Sequence, residues 1–270
     1  MNKMMKTGAA MALLLIIAAL AAPLLTSYDY KAQDLSIRLQ APDSKHIFGT
    51  DELGRDIFSR MLYGARVSMT VGIIAVLIST VIGILLGSAA GYFGGAIDNI
   101  IMRFVDIMLT IPTLFLILML IVFLGPSILN VMIIIGLTSW TDIARLIRAE
   151  VMSVKKLAYV DAARLIGIKR RDIILRHIMP NILGPIFVYM TFGISGAILT
   201  ESGLSFLGLG VQPPYPSWGN ILTAGKDYIH TAWWMILYPG LAIFLAVFSY
   251  NILGEGLRDY FNPRLKKEKQ

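Results

Sequence analysis

The sequence contains no cysteine, which excludes disulfides and thiol chemistry and leaves the redox compartment open. Its three histidines, His46, His177 and His230, lie far apart and show no metal-ligand spacing. No G-x-x-x-x-G-K-[ST] phosphate loop, no H-E-x-x-H helix and no ordered Ser/His/Asp set occurs, so catalysis by this chain alone is not expected. Charge is scarce as well: 15% of the residues are charged and 56% hydrophobic, too apolar for a domain that must cover its surface with polar groups. The bilayer is the expected solvent. At about 20 apolar residues per spanning helix plus loops, 270 residues make one transmembrane domain of five to seven spans, with no separate soluble domain.

What is present is a series of hydrophobic stretches at 7–26, 67–92, 104–124, 128–148, 182–206 and 233–253. They predict an all-α, polytopic fold of about six transmembrane helices. The fourth is the weakest, being interrupted by Thr138, Ser139, Thr141 and Asp142. The opening MNKMMK and the apolar run after it read as an uncleaved first helix: the run exceeds the usual 7 to 15 residues of a secretory signal, and many more spans follow.

The charge of +7 falls in clusters between the apolar runs and not on one basic face, which points away from nucleic acid. With the N-terminus inside, the inner segments hold 17 of the 24 Lys and Arg residues, nine of them from Arg145 to Arg176 and five from Arg258 to Lys269. The positive-inside rule therefore predicts both termini in the cytoplasm. Residues 27–66 become an external loop of mixed charge, whose second half sets Leu53, Ile57, Met61 and Leu62 at helical spacing. A surface helix leading into the second span is expected there.

Gly83, Gly87, Gly91 and Gly95 recur every four residues and give one helical face without side chains. Such a face suits close packing, either inside this chain or on a partner subunit. Asp106 follows Arg103 by three residues and Asp142 precedes Arg145 by three, so each pair is expected to neutralise itself on its own helix. Glu201 has no obvious local partner. It either lines a translocation path, caps a neighbouring helix or meets interfacial water.

The segment YVDAARLIGIKRRDIILRHIMP, 159–180, lies inside between the fourth and fifth spans. Ala163 and Gly167 leave two nearly bare backbone positions for a partner to approach, Leu165 and Ile168 supply apolar anchors, and Lys169, Arg170 and Arg171 hold the segment at the water interface. Gly167 is suited to end a first helix in a left-handed conformation, and 173–178 to form a second, with Pro180 leading into the fifth span.

This segment resembles the cytoplasmic loop of ABC importer permeases, E-A-A-x3-G-x9-I-x-L-P, with Asp161, Ala162, Ala163, Gly167 and Pro180 in register. Asp161 stands in place of Glu, His177 of Ile and Met179 of Leu. FGTDELGRDIFSR at 48–60 and SFLGLGVQPPYPSWG at 205–219 are similar to the peptide/nickel branch of that family. Taken singly, 51–56 fits a solvated helix start, and 207–218 a rigid external turn with Trp218 in the aromatic belt. The three motifs in this order are a stronger signal, and the resemblance runs from about 28 to 263.

It implies a type I ABC importer permease in a bacterial or archaeal cytoplasmic membrane, paired with a second, homologous permease subunit around the path. Two cytoplasmic ATPase subunits would dock at 150–180, on Asp161, Ala162, Ala163, Leu165, Gly167, Ile168 and Pro180. These subunits, and not this chain, would bind ATP and magnesium. An extracytoplasmic substrate-binding protein would deliver peptides, nickel or metal chelates. The alternative from another class is a secondary transporter or channel working without ATPases; such proteins usually show repeated halves and broken helices, which are not evident here.

Overall fold

The computed structural model describes residues 2–261. A 37-residue helix, α3 (Ile57–Phe93), is the axis on which most of the others pack. It contains no proline, and at 1.5 Å per residue it is about 55 Å long, well beyond a hydrocarbon core of about 30 Å. The excess explains one departure from expectation. No separate surface helix precedes the second span: Ile57 and Met61 are buried in the first turns of α3 itself, and Leu53 lies ahead of the helix.

Ahead of α3, α1 (Lys3–Leu20) continues through a short α2 (Ala22–Leu25) begun by Pro23. The third stretch is not one straight span. α4 (Gly95–Thr110) and α5 (Thr113–Leu124) meet at 85°. Pro112 is the cause: it has no N–H to donate and forces Ile111 into an extended conformation, which ends α4. The fourth stretch, weakest in sequence, spans fully as α6 (Ile128–Thr138) and α7 (Trp140–Val154) with a hitch at Ser139. Thr138 is tolerated because its hydroxyl donates back to Ile134 O at 2.8 Å.

After α8 (Ala158–Leu165), the short α9 (Arg170–Asp172) runs through the wide turns of 173–178 into α10 (Met179–Phe206). The second helix expected in the 159–180 segment is therefore the foot of the fifth span. Pro180 cannot bond to Arg176 O and its ring presses on that carbonyl, so the turn ahead of it opens to π-helical geometry. α11 (Trp218–Gly225) and α12 (Trp234–Phe261) complete the fold. Among the described residues, five helical rods are long and apolar enough to cross a membrane, and the bent α4–α5 pair would make a sixth. Exposed apolar side chains such as Leu14, Leu85, Val122, Phe123 and Phe244 cover the outside, as expected where the surrounding medium is lipid.

Connecting segments gather at two opposite ends. At one, residues 27–56 seat on the first turns of α12: Trp234 Nε1 donates to Thr50 O at 3.1 Å, and Phe48 stacks on Tyr238 at 4.0 Å. At the other lie Asn2, the end of α3, residues 155–180 and the end of α12, with Asn2 Nδ2 donating to Asp259 at 3.3 Å. Of the C-terminal basic cluster, Arg264, Lys266, Lys267 and Lys269 lie outside the described residues, as does Pro263.

Candidate functional site

α8 is closed by a turn that its sequence dictates. Gly167 takes φ +79°, its N–H donates to Arg164 O at 3.0 Å, and Ile168 N–H donates to Ala163 O at 3.1 Å. These two bonds are the Schellman pattern, in which a left-handed residue satisfies the last carbonyls of a helix. A Cβ at Gly167 would meet nothing within 4 Å, so the glycine answers a backbone need and not a crowded neighbour.

The two sides of α8 face different ways. Val160 and Ala163 turn inward and pack with Ile173 and Ile178. Ala163 is thus covered by its own chain and is not part of an open partner surface together with Gly167. Outward go Leu165 and Ile166, 88% and 77% exposed. Asp161 and Ala162 are exposed beside them, Ile168 is half-buried, and Pro180 is exposed in the first turn of α10.

The base of the loop is fixed to the end of α3. Lys155 Nζ donates to Tyr92 O, and the Lys155 and Arg164 side chains lie over the Tyr92 ring at 5.6 and 5.8 Å from its centroid. Tyr92 itself is buried among Ile147, Val151, Val160 and Ala163. Sequence reasoning missed Tyr92, Lys155 and Ile166. Ile166 had a visible signal, as the second of two apolar residues between Arg164 and Gly167; Tyr92 and Lys155 had none.

From Tyr92 the glycine face of α3 leads toward the middle of the fold. Its partner is α7 of the same chain: a Cβ at Gly87 would lie 2.5 Å from Ala144 O, one at Gly91 2.7 Å from Arg148 O, and one at Gly83 would collide with Ile143. Gly95 is not on this face. It sits beyond the end of α3 in the first turn of α4, with φ +56° and open space around it.

The ion pairs also differ from the local ones expected. Arg145 reaches across to Asp106 of α4 at 2.5 Å, and Arg148 grips Asp98 of α4 through Nε and a terminal nitrogen, at 2.5 and 2.6 Å. Spacing of three residues requires only that two side chains share a helical face; here α4 lies against that face of α7 and supplies the carboxylates.

Glu201 is fully buried near the other end of α10. Ser205 and Ser68 donate to its two oxygens at 2.7 and 3.1 Å, and Ser68 Oγ in turn accepts the N–H of Trp218 at 3.2 Å. The carboxylate thereby joins α3 and α10 beneath the first turn of α11. Trp218, expected in an aromatic belt, is buried, with Nε1 donating to Met61 O at 3.1 Å.

Taken together, the spans and the anchored helical loop define a polytopic helical permease. Residues 83–267 match the family described as binding-protein-dependent transport system inner membrane component, and residues 1–42 match the N-terminal transmembrane domain of oligopeptide transport permease C. The chain belongs to the family of binding-protein-dependent inner membrane permeases, the membrane subunits of ABC importers. It is 43% identical over 98% of its length to the dipeptide transport system permease protein DppC of Alkalihalophilus pseudofirmus, covering 87% of that protein. It is 38% identical over 98% of its length to the oligopeptide transport system permease protein OppC of Bacillus subtilis, again covering 87%. A chain of the MetNI methionine ABC transporter in an inward-facing conformation superposes with TM-score 0.54 over 72% of this chain and 94% of that one, at 14% identity.

Proposed function

We propose that this permease carries peptides inward, as one of two homologous membrane subunits driven by a pair of cytoplasmic ATPase subunits. The peptide cargo is supported by the two relatives above, which are named for dipeptides and oligopeptides. The observation that supports ATPase docking is the division of labour in α8. Leu165 and Ile166 project from the chain while Val160, Ala163 and Arg164 bind the loop to Tyr92 at the end of α3. An ATPase seated on the exposed pair would displace the loop and, through it, α3. Closing of two ATPases around ATP and magnesium would then rock two permeases between inward- and outward-facing states.

On this reading the end bearing residues 155–180 and both termini face the cytoplasm. The end bearing residues 27–56 and 207–233 receives the loaded binding protein. Glu201, enclosed by Ser68 and Ser205, holds the receiving end together and does not line the path. The test is purification of the tagged chain from native membranes and reconstitution of what accompanies it. Two P-loop ATPase subunits and a second permease are expected, with ATP-dependent uptake of labelled dialanine in the presence of binding protein. Uptake by the lone chain, without ATP, would instead establish a secondary transporter or channel.

A further inference from the structure

Polar side chains from three of the long apolar helices meet near the helix midpoints. Ala75, Thr141 and Val188 are the middle residues of the spans Ile57–Phe93, Ile128–Val154 and Arg170–Phe206. Ser79, Asp142 and Tyr189 each fall within about one helical turn of those positions. With Ser139, Gly196 and Thr200 they line a cavity of about 200 Å³. No Lys, Arg or His is among its lining residues.

Asp142 is exposed and makes no hydrogen bond or ion pair among the described residues. Its expected partner Arg145 is taken by Asp106, and the next arginine on α7, Arg148, by Asp98. A free carboxylate at this depth is tolerable against water or a cation and not against lipid. The surrounding groups are suited to a cation as well. Tyr189 donates its hydroxyl proton to Ser139 O at 3.2 Å, which leaves the phenol oxygen's lone pairs to accept. A Cβ at Gly196 would meet nothing within 4 Å, so a small group has room beside that residue.

We propose that this cavity is a subsite of the translocation path that accepts a protonated amino group of the cargo in transit. Asp142 supplies the counter-charge, and the oxygens of Tyr189 and Thr200 supply further acceptors. The cargo part rests on the peptide reading above: a peptide's α-amino group is largely protonated at neutral pH, with a pKa of about 8. One carboxylate open to water holds such a group weakly enough to release it, as transport requires.

The full importer in lipid nanodiscs supplies two readouts. Because the chain has no native cysteine, Gly196→Cys introduces its only thiol. A cationic methanethiosulfonate reagent should modify that thiol about tenfold faster than an anionic one, and adding Asp142→Asn should bring the ratio close to one. A ratio indifferent to Asp142→Asn, or a thiol that neither reagent reaches, overturns the proposal. In vesicles, with saturating loaded binding protein, Asp142→Asn should lower dialanine turnover about tenfold with the ATPases still attached, and Asp142→Glu should restore most of it. Wild-type turnover in Asp142→Asn, or loss of the second permease from it, also overturns the subsite, the latter by making Asp142 an interface partner. A complex whose Gly196→Cys form shows the charge preference but whose wild-type form takes up neither dialanine nor a longer peptide refutes the peptide cargo and leaves the cation subsite standing.

Discussion

Arg148 and Asp98, fifty residues apart in sequence, form a two-pronged ion pair that ties α7 to the first turn of α4, with N–O distances of 2.5 and 2.6 Å. Paired hydrogen bonds between a guanidinium and a carboxylate are directional, so they fix the two helices in register as well as neutralising each other. Asp98→Asn keeps the size and removes the charge. It should lower stability by about 1–3 kcal/mol, read as a fall in thermal midpoint in detergent. A double-mutant cycle with Arg148→Gln should recover a coupling of at least about 0.5 kcal/mol; additive single effects would show that the pair does not hold the helices.

The seam between α3 and α7 admits no side chain at Gly87, where even a Cβ would approach Ala144 O at 2.5 Å. Gly87→Leu should therefore separate the two helices or fail to assemble, with a loss of several kcal/mol or of membrane yield. Gly95→Ala is the comparison, since nothing within 4 Å meets its Cβ, although its φ of +56° adds strain of about 1 kcal/mol. Equal membrane yields from Gly87→Leu and the wild type would place the seam elsewhere.

At the end proposed to be external, burial and then the charge of Asp51 push the Glu52 carboxyl above its ordinary value of 4.5. A carboxyl whose pKa is higher folded than unfolded contributes most below the unfolded value and loses that contribution as pH rises through the folded one. Stability should thus fall on going from about pH 4.5 upward for this group. Glu52→Gln should remove that part of the fall, making the variant's thermal midpoint less dependent on pH between 4.5 and 7. Identical pH profiles would contradict the assignment.

Orientation can be read with single cysteines, because no native one interferes. Lys45 and Arg170 are both exposed, at opposite ends of the fold. An impermeant thiol reagent should label Lys45→Cys on intact cells and Arg170→Cys only after lysis. The reverse pattern would invert the topology.

The spans, the Gly167 turn and the glycine face of α3 were legible in the sequence because each depends on local pattern: apolar run length, a residue suited to positive φ, and a four-residue period. What was not legible depends on which helix lies next to which. Asp106 and Arg145 pair across two helices, and no spacing within one helix announces that. The inward turn of Ala163 follows from Ile173 and Ile178 coming to lie over it. Of the two partners of Glu201, Ser205 stands four residues on in the same helix and was open to a reading of the spacing, whereas Ser68 lies 133 residues away. The break at Pro112 could have been anticipated from proline chemistry alone, but continuous hydropathy on both sides concealed it.

In the proposed function, α8 receives the motion of an ATPase and passes it to α3 through Tyr92. Leu165 tests it most directly, being 88% exposed and remote from the packing between spans. Leu165→Arg should leave membrane abundance and pairing with the second permease near normal, since a charged side chain there remains in water. The measurement is dialanine uptake and ATPase retention on a single preparation of that variant. Uptake is expected to be at least about tenfold lower, with the ATPases either lost or hydrolysing ATP without response to loaded binding protein. Full uptake with the ATPases attached would contradict this coupling and leave the loop as a basic connector.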